Sequence, residues 1–148
     1  MTREGVAGHI PAPPEHRYVA GMTNARKAVL LAGLWMTFVQ FAQNQLIFLG
    51  VWENHFRDLG LSFTTKPING ILWTVWSMLH AMLVRELLKT RSLRSAVSVA
   101  WLISFVMMWC ALYNLQVMPL PLLIAAVPIS LAGTYGSALI IQRFDPHA

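Results

Sequence analysis

The sequence predicts an all-α fold, an integral membrane four-helix bundle with both termini on the cytoplasmic side (N-in/C-in). Three observations carry that expectation. The 148-residue chain is 56% hydrophobic and 11% charged, with a mean hydropathy of +0.54. A soluble domain carries roughly a quarter charged residues, more than twice this share. Four apolar runs are each long enough to cross a hydrocarbon core of roughly 30 Å as helices. The basic residues then gather at one end of those runs. The same composition excludes a wholly disordered chain, which requires low hydrophobicity. It also excludes a disulfide scaffold, because Cys110 is the single cysteine.

Residues 1–27 are expected to form a flexible cytoplasmic tail, since the stretch from Gly8 to Glu15 is rich in proline and has no apolar period. No apolar stretch follows the initiator region directly, so no secretory signal is expected and the first span is read as retained. Thr23 and Asn24 are candidate N-caps for that span. The four spans are placed at about 28–51, 68–88, 97–117 and 120–141, followed by a short cytoplasmic tail over 142–148. Helices are required because open sheet edges would leave backbone groups unsatisfied in lipid. Pro119, Pro121 and Pro128 shape the start of the fourth span and predict a kink within it.

Nine of the eleven Lys and Arg residues fall on one side: Arg3, Arg17, Arg26, Lys27, Arg85, Lys89, Arg91, Arg94 and Arg143. Only Arg57 and Lys66 fall on the other. The positive-inside rule therefore places both termini in the cytoplasm and the 53–67 loop outside. The partner implied by this distribution is the lipid bilayer. A nucleic-acid site would need a denser basic patch interleaved with aromatic residues, so no nucleic acid is expected.

No acidic or basic side chain lies in the interior of a span, which removes the usual mark of a proton- or ion-coupled pump. What remains is a set of amides and one histidine. Gln40, Gln43 and Asn44 share a face of the first span, and Asn69 and His80 share a face of the second. Gln40 and His80 fall at matching depth, which predicts a hydrogen bond between them. Asn114 lies near the outer end of the third span, at the depth of Asn69 and the Gln43–Asn44 pair. Together these six residues form the candidate polar intramembrane site. Haem would need a second axial histidine on a facing span, and none exists. Cys110 reads as a small buried apolar residue. Outside, Glu53, His55 and Asp58 are too few for a metal site, and Glu53–Arg57 has the spacing of a helical ion pair. Trp52 and Phe56 fit an interfacial aromatic belt. No metal, cofactor or catalytic residue is expected.

In the fourth span Ala126, Ser130, Gly133 and Ser137 recur at spacings of four, three and four. Such a stripe lets another backbone approach closely, either within the chain or in a homo-oligomer or larger membrane complex. The favoured function is thus a non-enzymatic subunit or interaction protein of a cell membrane, read as a bacterial inner membrane from its short loops. The alternative is a small transporter or solute-binding protein using the polar face around His80.

Overall fold

Pro67 fixes the backbone at the first turn of one helix, and Ser92 caps another by accepting from the Ser95 N–H at 3.5 Å. The computed structural model describes residues 14–64, 66–146 and 148, with side chains from residue 23 onward. No strand occurs among them. Helix α1 covers Pro14–Phe41 and runs on as a π-helical segment, Ala42–Ile47. After a bend at Phe48, α2 covers Leu49–Asp58. Helix α3 covers Pro67–Leu88, and α4 covers Leu93–Asn114 with a π-helical stretch at Leu102–Val106. Helix α5 covers Leu120–Phe144, opening with a 3₁₀ turn at Leu120–Leu122. Pro128 sits inside α5 without ending it.

Helices α3, α4 and α5 are each long and apolar enough to cross a membrane, which marks the chain as a membrane protein. Their limits lie within a few residues of the expected 68–88, 97–117 and 120–141. The expected first span differs. Helix α1 starts at Pro14, so Thr23 and Asn24 lie inside it rather than capping it, and the expected tail is helical over residues 14–27. Residues 1–13 of that tail lie outside the described residues. At its other end, Gln40, Gln43, Asn44 and Gln45 lower the hydropathy, and the helix widens and bends before the expected end at 51. The charged stretch expected as a loop, around Glu53 and Arg57, is the helix α2.

Helices α2 and α4 end in the same way. Each closes with a 6→1 bond, Leu61 N–H to Phe56 O at 2.8 Å and Val117 N–H to Leu112 O at 3.1 Å. Each also makes the inner 5→2 bond, Gly60 N–H to Arg57 O and Gln116 N–H to Tyr113 O, both 2.9 Å. This pattern needs a left-handed residue. Gly60 supplies it at φ +71°, whereas Gln116 adopts φ +59° with a side chain.

Helix α1 packs along α5 and α3, and α4 packs along α3 and α5. The end near the basic residues is filled by small side chains, with Ala32, Ala81, Ala96, Ala100 and Ala138 all fully buried around Val84 and Ile141. Without a hydrophobic drive between helices in lipid, this close approach supplies the attraction by dispersion. An ion pair closes the same end. Arg85 Nε donates to Asp145 Oδ2 at 2.7 Å, and the Asp145 side chain is 8% exposed. Arg85 and Lys89 also pair with Glu86, and Lys27 lies 5.1 Å above the Phe144 ring.

The small stripe of α5 is covered within the chain. Ala126, Ser130, Gly133 and Ser137 are all buried. Trp35 Nε1 of α1 donates to the Gly133 carbonyl at 3.0 Å, and the Ser137 hydroxyl donates to Ala32 O at 3.2 Å. Trp101 Nε1 of α4 donates to Ser130 Oγ at 2.9 Å. The outward faces carry large apolar residues such as Phe38, Leu79 and Ile124. Cys110 is among the exposed residues rather than the buried ones expected. The π-helical stretch preceding it turns the face of α4.

Candidate functional site: an amide wall between a cavity and a groove

At the end opposite the alanine core the helices carry amides and aromatic rings, which do not fill the space between them. A cavity of about 50 Å³ remains there, bordered by Gln40, Gln43, Asn44, Trp52, Trp73 and Phe105 among others. On the other side of Gln40, Asn44 and Trp73, a groove of about 910 Å³ opens between α1 and the first half of α3. Those three side chains are the wall that the two spaces share.

The π-helical segment positions the amides. Its wide turn is marked by the Phe48 N–H to Gln43 O bond at 3.0 Å. Segments of this kind concentrate at functional sites. Asn44 Nδ2 donates back to Gln40 O at 3.0 Å and to Gln40 Oε1 at 3.2 Å. Trp52 Nε1 of α2 donates to Asn44 Oδ1 at 3.0 Å, and its ring stacks on Phe63. Gln40 and Gln43 are 4% and 5% exposed. Yet Gln40 Nε2 and Gln43 Oε1 have no hydrogen-bond partner. Leaving a buried polar atom unpaired costs about 1–3 kcal/mol. The two atoms are complementary, one a donor and the other an acceptor. A water needs only about 10–15 Å³, so the cavity has room for a small hydrogen-bonding group.

His80 is buried beside this site rather than within it. Its ring stacks on Trp76 at 5.5 Å and meets the edge of Phe105 at 5.7 Å. Its Nδ1 lies 2.9 Å from Ser104 Oγ of α4, with donor and acceptor set by the tautomer. The hydrogen bond expected between Gln40 and His80 is therefore not made. Ser104, carried round by the π-helical stretch of α4, takes the imidazole instead. His80 Nε2 is left without a partner.

Of the six residues expected to form a polar site, the structure brings Gln40, Gln43 and Asn44 together at the cavity. Asn69 lines the groove and donates from Nδ2 to Thr64 O at 2.6 Å. Asn114 is exposed at the end of α4 and lines neither space. Glu53 and Arg57 do not pair, because Arg57 donates to Asn54. No group of metal-ligating side chains assembles among the described residues. Sequence reasoning missed Trp52, Lys66 and Gly70 as neighbours of the site. For Lys66 a signal existed, a lysine directly before Pro67 where a capping residue is usual. No family profile, curated protein or solved structure matches the chain.

Proposed function

We propose that the chain is a non-catalytic, four-span protein of a cell membrane that binds an amphipathic solute in the groove between α1 and α3. In this reading α1 with its π-helical segment is the fourth span of the bundle, and the basic ends face the cytoplasm. Support for the span comes from its packing along both α3 and α5. The orientation is supported by the separation of basic residues, with Arg57 and Lys66 alone at the other end. Charge reversal of Arg91 and Arg94, read with a topology reporter, tests it, and an unmoved reporter overturns it.

The observation that carries the binding reading is the open groove of about 910 Å³, walled by Gln40, Asn44 and Trp73 from a small cavity at which Gln40 Nε2 and Gln43 Oε1 stay unpaired. Ligand sites are concave, mostly apolar and furnished with a few convergent polar groups, in volumes of about 300–1,000 Å³. The groove fits that description, with Phe38, Ile71 and Val75 as walls and amides at its side. The small stripe from which a packing partner was inferred is occupied by α1 and α4 of the same chain. That moves the weight from a subunit to a binding protein.

Gly70 gives a clean test. It lines the groove, and a Cβ added there would meet nothing within 4 Å. Gly70→Trp should therefore fill the groove without disturbing the helices. Organic extracts of the purified protein should contain an amphiphile that the variant lacks. Identical extracts from both would refute the reading.

A further inference from the structure

We infer that the basic end of the bundle recruits phospholipids with anionic headgroups, its unpaired arginines taking the phosphates of the leaflet around it. The inference rests on the spanning reading of the helices and is independent of the groove.

Charge is divided unevenly between the two ends. Among the described side chains, the end closed by the Arg85–Asp145 pair carries seven Lys and Arg against two acidic side chains, and the other end carries two against two. Both acidic side chains of the basic end are already taken, Asp145 by Arg85 and Glu86 by Arg85 and Lys89. The two lysines there are engaged as well, Lys89 with Glu86 and Lys27 with the Phe144 ring. Arg26, Arg91, Arg94 and Arg143 are exposed and belong to none of the ion pairs among the described residues. The excess is therefore wholly arginine, whose planar fork matches a phosphate with two parallel N–H···O bonds.

The placement of these cations identifies the anion. Lys27 lies above the Phe144 ring and Arg85 bonds to Asp145, so Arg26, Arg85 and Arg143 stand at about one level along the helix axes. His80 meets Ser104, which sets Val99 of α4 level with Arg85. Arg94 then lies about 8 Å further out, at 1.5 Å per residue. A headgroup layer is about 5–8 Å thick on each side of the hydrocarbon core, so the cations fill a band of that depth. They sit on α1, on α5 and at the start of α4, and α1 and α4 each pack between α3 and α5. A soluble acidic partner would dock on one patch, whereas a headgroup layer surrounds the whole bundle. One turn inward from Arg26 and Arg143, on the same faces, stand Leu30 and Leu139, 53% and 45% exposed. Each pair offers a cation to a phosphate and a leucine to the chain beneath it. A zwitterionic head carries its own cation and neutralises none of the excess.

The test is native mass spectrometry of the full-length protein released from micelles containing equal amounts of palmitoyl-oleoyl phosphatidylglycerol and phosphatidylcholine. A micelle has no sides, so altered charges are read as lipid affinity and not as orientation. The native sequence should retain the anionic lipid about five-fold over the zwitterionic one, the ratio that about 1 kcal/mol for one cation gives. Combining Arg26→Gln, Arg91→Gln, Arg94→Gln and Arg143→Gln should bring the ratio to about one. Arg57→Gln with Lys66→Gln, at the other end, should leave it unchanged. All six positions are exposed, and unchanged circular dichroism checks that the variants fold. Equal retention of the two lipids by the native sequence overturns the inference and leaves the spanning reading, which the topology reporter tests, in place. A ratio unaffected by the four arginine substitutions, or lowered as far by the control pair, overturns it too. Displacement of the lipid by an equal concentration of inorganic phosphate would overturn it in favour of a soluble anion.

Discussion

Gly136→Ala is the sharpest probe of the contact between α1 and α5. A Cβ at Gly136 would lie 2.5 Å from Trp35 Nε1, 2.8 Å from Cε2 and 3.1 Å from Cζ2. No side chain fits at those distances, so the indole must leave. It then loses its bond from Nε1 to the Gly133 carbonyl, now 3.0 Å. Such interhelical bonds average about 0.6 kcal/mol in a membrane, and overpacking costs about 1–3 kcal/mol. Replacing glycine by alanine in a helix returns about 1 kcal/mol. The net expectation is a loss of about 1–2 kcal/mol, or roughly 3–6 °C in Tm for a chain of this size. Gly70→Ala is the matched control. It brings the same propensity gain into open space and should raise Tm. Thermal unfolding in detergent, followed by circular dichroism, reads both. A double-mutant cycle with Trp35→Leu should show coupling of about 1 kcal/mol, because removing the indole removes the clash. If Gly136→Ala stabilised the protein as Gly70→Ala does, the close approach of α1 to α5 would be wrong.

Three further outcomes follow from the same geometry. Gln116→Gly should stabilise by about 1 kcal/mol, because a left-handed residue with a side chain gives way to one without that cost; a fall in Tm would contradict the closing turn of α4. Asp145→Ala should destabilise by about 1–2 kcal/mol by removing the buried partner of Arg85, whose side chain is 21% exposed and keeps only the exposed Glu86, and chemical denaturation in detergent would show no change if the pair were only superficial. Gln43→Leu should raise the stability of the protein by about 1 kcal/mol by deleting an unpaired buried acceptor, read as a higher Tm in detergent. A large loss of stability would mean that Oε1 is already satisfied.

Helices α3, α4 and α5 are legible in the sequence because their apolar runs are uninterrupted. At their ends, Pro67, Ser92 and the Pro119–Pro121 pair punctuate the chain where the structure does. The first helix is harder to read. Gln40, Gln43, Asn44 and Gln45 resemble a polar face when projected at 100° per residue, but the segment 42–47 is π-helical and does not keep that angle. The same change of phase in Leu102–Val106 turned Cys110 outward and Ser104 toward His80. A helical wheel has no means of showing either. Helix α2 was hidden differently. Its charges suggested a loop, although Gly60 marked a helix end two residues past Asp58. The groove belongs to no single segment, since residues of α1, of α3 and of the connection before α3 line it together.

The alanine-filled end has a consequence for how the sequence can vary. At Ala32, Ala81, Ala100 and Ala138 the side chains are wholly enclosed, so each added methyl displaces a neighbouring helix. Around Trp73 and Phe105 the unfilled volume can absorb a methyl group in place. Random substitution should therefore sort by depth along the helix axes, and not by position along the chain. Lethal enlargements would collect in one half of α1, α3, α4 and α5, and tolerated ones in the other half of the same helices.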